Sequence, residues 1–330
     1  GVVNPFYGTH GAVIFEGGGH AATNDNSIIQ LEMGLAACSF RRIVTGTNWF
    51  PGTPVNNNLG NIGGLFDTDW FDSTADGKPL SRHSYGDGVV IGPAHGGATY
   101  GTYRFQFSNG GYSGFIPALG HSPHKLPITS LSGEATWARG CSAPNAWTDA
   151  NSPLFSAFCP TQSRVYVHKA HFAGVRWQNI PAETFGLGTG TALSDDTDSP
   201  GGGAGLNGGR LVSVPQRDLL LYADRKGGNL RIRWMDVSAG NTNPSWVNGA
   251  ANAGASISVA IPVGYDWSHI CWCQDNSRLI VGAVSGDANC VYEIAIPATI
   301  RLGSRKNRQS QSSGPAITRR RLSFWLIASE

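Results

Sequence analysis

One unit recurs along this chain and limits what it can become. An apolar run of strand composition is followed by a small Gly-rich turn, then by a second strand that often carries an aromatic. Ala12–Val13–Ile14–Phe15, Gly17–Gly18–Gly19–His20 and Ser27–Ile28–Ile29–Gln30–Leu31 form one copy. Leu219–Leu220–Leu221–Tyr222, Lys226–Gly227–Gly228 and Leu230–Arg231–Ile232–Arg233–Trp234 form another. Arg278–Leu279–Ile280–Val281, Ser285–Gly286–Asp287 and Cys290–Val291–Tyr292–Glu293–Ile294 form a third. Repetition on this scale points to β units stacked radially or in a line. Such scaffolds serve many functions, so the pattern speaks to fold more than to activity.

Composition agrees. Glycine supplies 45 of 330 residues, roughly twice the usual share of about 7%. Charged residues make up only 14% of the chain. Gly, Asn, Ser and Thr fill the gaps between apolar runs, which suits tight turns and leaves little for surface helices. Alternation in Val165/Val167 and in Leu230/Ile232/Trp234 marks half-buried strands.

Five strand clusters are expected, over about 1–46, 82–140, 152–183, 208–248 and 256–300. The first runs through Gly1–Tyr7, Ala12–Phe15, Ser27–Leu31 and Ser39–Val44, and the fourth ends in Ser245–Trp246–Val247. Long insertions separate clusters at 45–81 and 186–209; loops of that length are usually functional or disordered. No linker divides 1–300, which reads as a single domain.

Charge is unevenly placed. Residues 301–330 carry seven basic side chains and one acid, leaving the first 300 residues with 17 basic and 21 acidic groups, a net of −4. The mildly acidic body argues against nucleic-acid binding through it. Residues 301–330 read as a loose, basic C-terminal tail. The chain has six cysteines, a low density for a disulfide-dependent scaffold. No apolar run is long enough to span a membrane. The chain does not open with Met, which points to processing or to loss at the front.

The run AVIFEGGGH, then NSIIQLEM, then SFRRIV, resembles a kelch-type blade: a hydrophobic strand, a Gly-Gly turn, a strand with Leu or an aromatic, and a closing strand. RHSYGD resembles the opening of a further blade, and DLLLYADRKGGNLRIRWMDVSAGNTNPSWV fits another. The resemblance implies an all-β, kelch-like or galactose-oxidase-like β-propeller, of a bacterial or phage kind, built from four-stranded blades. Five blades are visible, in a ring of five, six or seven. Arranging blades about an axis would bury their faces and leave short edges.

On that reading the loops joining second to third strands share one face. They would gather His20, Asn24, Asp25, His171, Arg225, Lys226 and Asp287, joined by Trp49, Trp70 and His83 from the long insertion and its end. Aromatics with amides, carboxylates and cations suit a polar ligand such as a carbohydrate. Copper-radical oxidation is disfavoured because no Tyr-His dipeptide and no matching Cys–Tyr arrangement occur. Ser-x-Asp-x-Gly-x-Thr-Trp boxes are absent, as are GxxxxGK[ST], HExxH, GxSxG and CxxC. His269, Cys271 and Cys273 share one face of a predicted strand, about 7 Å apart in sequence steps of two, too far to hold one tetrahedral ion without strain. Core packing is expected for them, with a disulfide to Cys290 or a metal as lesser alternatives. Asp195, Asp196 and Asp198 lack EF-hand spacing, and His121 and His124 read as a solvated loop pair. No cofactor and no metal are expected.

The chain is therefore expected to be a non-catalytic binding or structural module for carbohydrate or protein, extracellular or virion-associated. The alternative is a secreted polysaccharide lyase with a His/Arg/Lys funnel, using His or Tyr as base and Arg or Lys to stabilise an enolate.

Overall fold

The computed structural model describes residues 1–16, 27–34, 37–46, 77–79, 88–105, 123–139, 155–168, 176–188, 210–226, 229–242, 244, 256–262, 269–273, 278–284, 287–296 and 317–321. These residues are all-β, with short 3-10 turns and no α-helix. Their strands form five four-stranded antiparallel sheets, each ordered as the chain runs. The first sheet contains β1 (Val2–Asn4), β2 (Ala12–Glu16), β3 (Ile28–Glu32) and β4 (Ser39–Val44). The second contains β5 (Val89–Ile91), β6 (Thr102–Phe105), β7 (His124–Pro127) and β8 (Ala138–Arg139). The third is β9 (Phe155–Cys159), β10 (Arg164–His168), β11 (Arg176–Asn179) and β12 (Phe185–Leu187). The fourth is β13 (Arg210–Val214), β14 (Leu219–Lys226), β15 (Asn229–Asp236) and β16 (Ser256–Pro262). The fifth is β17 (His269–Cys273), β18 (Arg278–Val284), β19 (Asp287–Ala295) and β20 (Ile317–Arg321).

The chain divides into two compact units, one of Gly1–Lys169 with Val175–Leu187, the other of Ala170–Gly174 with Gly188–Glu330. In the first unit the leading strands of successive sheets are neighbours, β1 beside β5 and β5 beside β9. In the second, β13 lies beside β17.

Strand alternation sorts the side chains. In the first unit Ala12, Ile14 and Ile28 of the first sheet pack with Tyr103, Leu126 and Trp137 of the second. In the second unit Leu221, Ile232 and Leu230 of the fourth sheet pack with Leu279, Val281 and Ile294 of the fifth. Burying each of the Leu, Ile and Val side chains among them contributes about 1.5–3 kcal/mol. The other face of the first sheet is also apolar: Val3 is 59% exposed and Phe40 71% exposed, with the Phe15 ring 6.3 Å from that of Phe40.

A device at the entry to the second strand repeats in four sheets. A proline follows the first strand: Pro5, Pro93, Pro160 and Pro215. The last three open a 3-10 turn, where a fixed proline φ suits the start and the missing N–H costs nothing. The residue just before the second strand has positive φ: Gly11 (78°), Gly101 (91°), Ser163 (49°) and Asp218 (52°). Its carbonyl then accepts the N–H of the residue after the third strand. Those pairs are Met33 N to Gly11 O (3.1 Å), Ile128 N to Gly101 O (3.0 Å), Ile180 N to Ser163 O (2.8 Å) and Val237 N to Asp218 O (2.9 Å). Each clasp fixes the register between second and third strands from one end. At Gly101 a Cβ would also stand 2.8 Å from Asn4 Oδ1, and Asn4 is fully buried with its Nδ2 donating to Tyr100 O at 2.9 Å. Gly101→Ala is expected to destabilise the protein by about 1–3 kcal/mol, read as a lower urea midpoint.

Three expectations change. Ser256–Pro262, read with the fifth cluster, pairs with β15 and closes the fourth sheet. Strand composition marks a strand without naming its neighbour, and Ser245–Val247 lies outside the described residues. Within the expected tail, Ile317–Arg321 pairs with β19 and supplies the fourth strand of the fifth sheet. His124, expected in solvent, is fully buried on β7, its ring 6.2 Å from Trp137 in a T-shaped contact. Alternation explains this: His124 and Leu126 share the face that packs on the first sheet, while Lys125 lies on the other.

Candidate functional site

His20, Asn24, Asp25, Trp49, Trp70, His83 and His171 lie outside the described residues, as do Asp195, Asp196, Asp198 and His121. Arg225 and Lys226 are at the end of β14 and Asp287 is at the start of β19. The register pairs Lys226 with Asn229 and Val284 with Asp287, so all three positions flank the turns between second and third strands, at the same end of two adjacent sheets. The sequence-expected loop face is thus represented in the second unit by these three positions.

Several described ionisable side chains meet near the proline turns. In the first unit Glu32 Oε1 receives Arg41 Nε at 2.6 Å and lies 2.9 Å from the Tyr7 hydroxyl. That hydroxyl also reaches Leu131 O at 2.8 Å and accepts from Arg41 Nη2 at 2.6 Å, while Arg41 Nη1 donates to Gly133 O at 2.7 Å. Burial pushes the Glu32 carboxyl up, but hydrogen bonds from Arg41 and Tyr7 outweigh it and leave the group below its usual value. Burial and the bond to Glu32 raise the Tyr7 phenol. Beside this trio is a shallow depression lined by Arg41, Ile43, Ile128, Ser130, Ser132 and Glu134. Glu134 also bonds Thr45 Oγ1.

A second cluster ties the second sheet to the third. Arg104 and Lys125 are cross-strand partners on β6 and β7, so they share a face. Glu183 stands between β11 and β12 with φ 58°, following the cis Ile180–Pro181 bond. Its Oε1 takes Arg104 Nη2 at 2.7 Å and Lys125 Nζ at 2.6 Å. Arg104 Nη1 donates to Gln178 Oε1 at 3.1 Å, and its side chain is only 6% exposed. Burial raises the Glu183 carboxyl, but the bonds from Lys125 and Arg104 prevail and hold it below the ordinary carboxylate range.

The turns make further braces. His95 Nδ1 lies 2.7 Å from Ser163 Oγ, its ring edge-on to Phe158. An imidazole beside a hydroxyl is the beginning of a nucleophile–base pair, but acyl transfer also needs amide donors for a developing oxyanion. Here the amides of Gly96, Gly97 and Ser163 already donate to Pro93 O, Gly92 O and Pro160 O. The Arg164 guanidinium lies 4.6 Å from the Trp177 ring and donates through Nε to Asn179 Oδ1. In the second unit Arg217 Nη1 donates to Ile296 O at 2.8 Å, and Trp272 Nε1 to Gln216 Oε1 at 3.0 Å. The chemistry here is bracing: ion pairs and hydrogen bonds tie a turn of one sheet to the next, and the Arg164 stack braces the third sheet internally.

The expectation of core packing for the β17 cysteines is corrected. Ile270 and Trp272 pack on the core, so alternation puts Cys271 and Cys273 on the other face, exposed and half-buried respectively, both as free thiols. The disulfide to Cys290 is thereby excluded for both. Among the described residues no group of three or more His, Cys, Asp or Glu is placed to hold a metal ion, and no helix is long and apolar enough to cross a membrane.

No protein-family model and no curated protein matches this chain. Among solved structures it is similar to TolB from Acinetobacter baumannii, at 10% identity and a TM-score of 0.28, over 61% of this chain and 46% of that one. The chain therefore spans less than half the length of that protein in the match.

Proposed function

We propose that this chain is a kelch-like β-propeller acting as a non-catalytic binding module for carbohydrate or protein, in an extracellular or virion setting. The observation that carries the reading is the division of labour between the two ends of the sheets. Beside the proline turns of the first unit, Glu32 and Arg41 engage each other and backbone, and Glu183, between β11 and β12, engages Arg104 and Lys125. A ligand is left to the second-to-third-strand turns, which Arg225, Lys226 and Asp287 flank in the second unit and where the polar loop residues fall in sequence.

The strand arrangement supports the propeller half of the reading. Each sheet is a four-stranded meander, and within each unit the leading strands of adjacent sheets are neighbours, as expected when blades radiate from an axis. Val165–Val167 and Leu219–Ala223 are buried without alternation, as in strands covered on both faces. The first sheet is likewise apolar on both faces.

A glycan array with the full chain, coupled to absorbance at 235 nm for unsaturated products, tests the functional half. Glycan binding without turnover, weakened at least tenfold in Arg225→Ala/Lys226→Ala, is the expected result. Turnover that is lost in His171→Ala would overturn it in favour of a polysaccharide lyase.

A further inference from the structure

Two free thiols stand together on β17, the first strand of the fifth sheet. Cys271 is exposed and Cys273 half-buried. As residues two apart on one strand they point to the same face, about 7 Å from each other along it. Burial and then the Cys273 sulfur raise the Cys271 thiol, so each sulfur is within electrostatic reach of the other. Their neighbours across the ladder share that face: Ile280 stands opposite Cys271 and Arg278 opposite Cys273. Arg278 Nε is 3.8 Å from a Glu293 carboxylate oxygen, a loose pairing beyond hydrogen-bond distance.

We propose that Cys271 and Cys273 form a two-coordinate site for a soft monovalent cation of the Cu(I) or Ag(I) kind. The spacing rules out the usual fates of a cysteine pair. A disulfide needs Cβ atoms about 3.8 Å apart, which an extended strand does not provide at positions two apart. A tetrahedral ion needs four ligands, and among the described residues no group of three or more His, Cys, Asp or Glu is placed to hold one. A two-coordinate ion bound in a straight line asks for less: with metal–sulfur bonds of about 2.3 Å, the sulfurs stand about 4.6 Å apart. Side chains on a strand lean along it in either of two common rotamers, so the two thiols reach that span by leaning toward each other. Thiolate sulfur selects soft Cu(I) over harder ions. Each thiol gives up its proton as the ion binds and no electron moves, which leaves the complex with a single negative charge. The Arg278 guanidinium beside Cys273 offsets that charge. The site lies on a sheet face, and the inference does not depend on the binding-module reading above.

The test uses the reduced full chain, kept free of oxygen and titrated with Cu(I) against a chromophoric Cu(I) chelator. The wild type is compared with Cys271→Ser, Cys273→Ser, the double variant and, as an exposed-thiol control, Cys38→Ser. The site predicts a single tightly held ion in the wild type and in the control. Either single variant should lose roughly a hundredfold in affinity, because a chelate held at two points becomes a contact at one. The double variant should hold no tight ion. Arg278→Gln should weaken binding about tenfold, as loss of an outer-shell partner of a metal does. X-ray absorption should count two sulfurs in a straight line. A measurement on the wild type alone guards against variants that misfold: bound Cu(I) should shield Cys271 and Cys273, but not Cys38, from alkylation, read by mass spectrometry. No tight ion in the wild type would overturn the proposal, as would single variants that bind as well as the wild type, three or more sulfurs around the ion, or equal shielding of Cys38. So would a Cys271–Cys273 disulfide in air-exposed protein, which would show the thiols closer than an extended strand places them.

Discussion

Glu183→Ala is expected to lower the unfolding free energy by about 2–4 kcal/mol, somewhat less than the roughly 3–5 kcal/mol for breaking a fully buried pair, since the Glu183 side chain is 18% exposed. One carboxylate oxygen sits between two cations, 2.7 Å from Arg104 and 2.6 Å from Lys125. Removing it leaves a nearly buried guanidinium facing an ammonium. Alanine is the suitable replacement because φ at this position is 58°, which strains Glu and Ala alike, whereas glycine would relieve strain and mask the loss. The effect should depend on pH in a defined direction. The folded carboxyl is held below its usual value, so its contribution is complete above the unfolded value of about 4.3. It is lost as pH falls through the lower, folded value. Urea titrations at pH 6 and pH 3 should therefore show the gap between wild type and variant shrinking on acidification. A gap that is constant or grows would show that the ion pairs do not hold the third sheet to the second. A double-mutant cycle with Arg104→Met should give a coupling of about 1–3 kcal/mol.

Leu221→Ala is expected to cost about 2–5 kcal/mol, the range for a leucine removed from a core that relaxes only partly. Leu221 is fully buried on β14 and belongs to the cluster that joins Ile232 to Val281 and Ile294. Its opposite residue in the ladder is Trp234, which packs partly against the same cluster. Differential scanning calorimetry would record a lower transition temperature and a smaller enthalpy. Leu221→Met, which keeps nearly the same volume, should recover most of the loss, since volume-conserving swaps usually cost less than about 1.5 kcal/mol. A Leu221→Ala protein as stable as the wild type would mean that this cluster is not packed as described.

The antiparallel all-β character was legible because it depends on local signals. Apolar runs such as Leu219–Leu221 and the Gly-Gly turn at 227–228 speak for themselves. Partnership was less legible. Ser256–Pro262 reads as a strand from its Ser-Ile-Ser-Val-Ala-Ile order, yet whether it closes one sheet or opens the next is decided by β15, some twenty residues away. Ile317–Arg321 is short and three-fifths arginine, so its strand character comes from the ladder offered by β19. The clasp was open to discovery in the sequence. A proline just after the first strand, at Pro5, Pro93, Pro160 and Pro215, precedes a Gly, Ser or Asp of positive φ in every case, three positions on at Ser163 and Asp218 and six and eight on at Gly11 and Gly101. The Glu183 bridge was not open to discovery. Nothing near Glu183 in sequence points to Arg104, 79 residues earlier, and only folding supplies that neighbour.

The carbonyl clasp has a practical consequence for anyone wishing to graft foreign peptides onto this molecule. In four of the sheets, the alignment of the central hairpin is locked from the end remote from its tip. Lengthening a tip should then leave the paired strands in step, because closing a longer loop adds only about 0.6 kcal/mol per doubling. The position between paired Lys226 and Asn229 is the natural place to splice in a cargo sequence, with Asp218 O and Val237 N holding the frame from the other end.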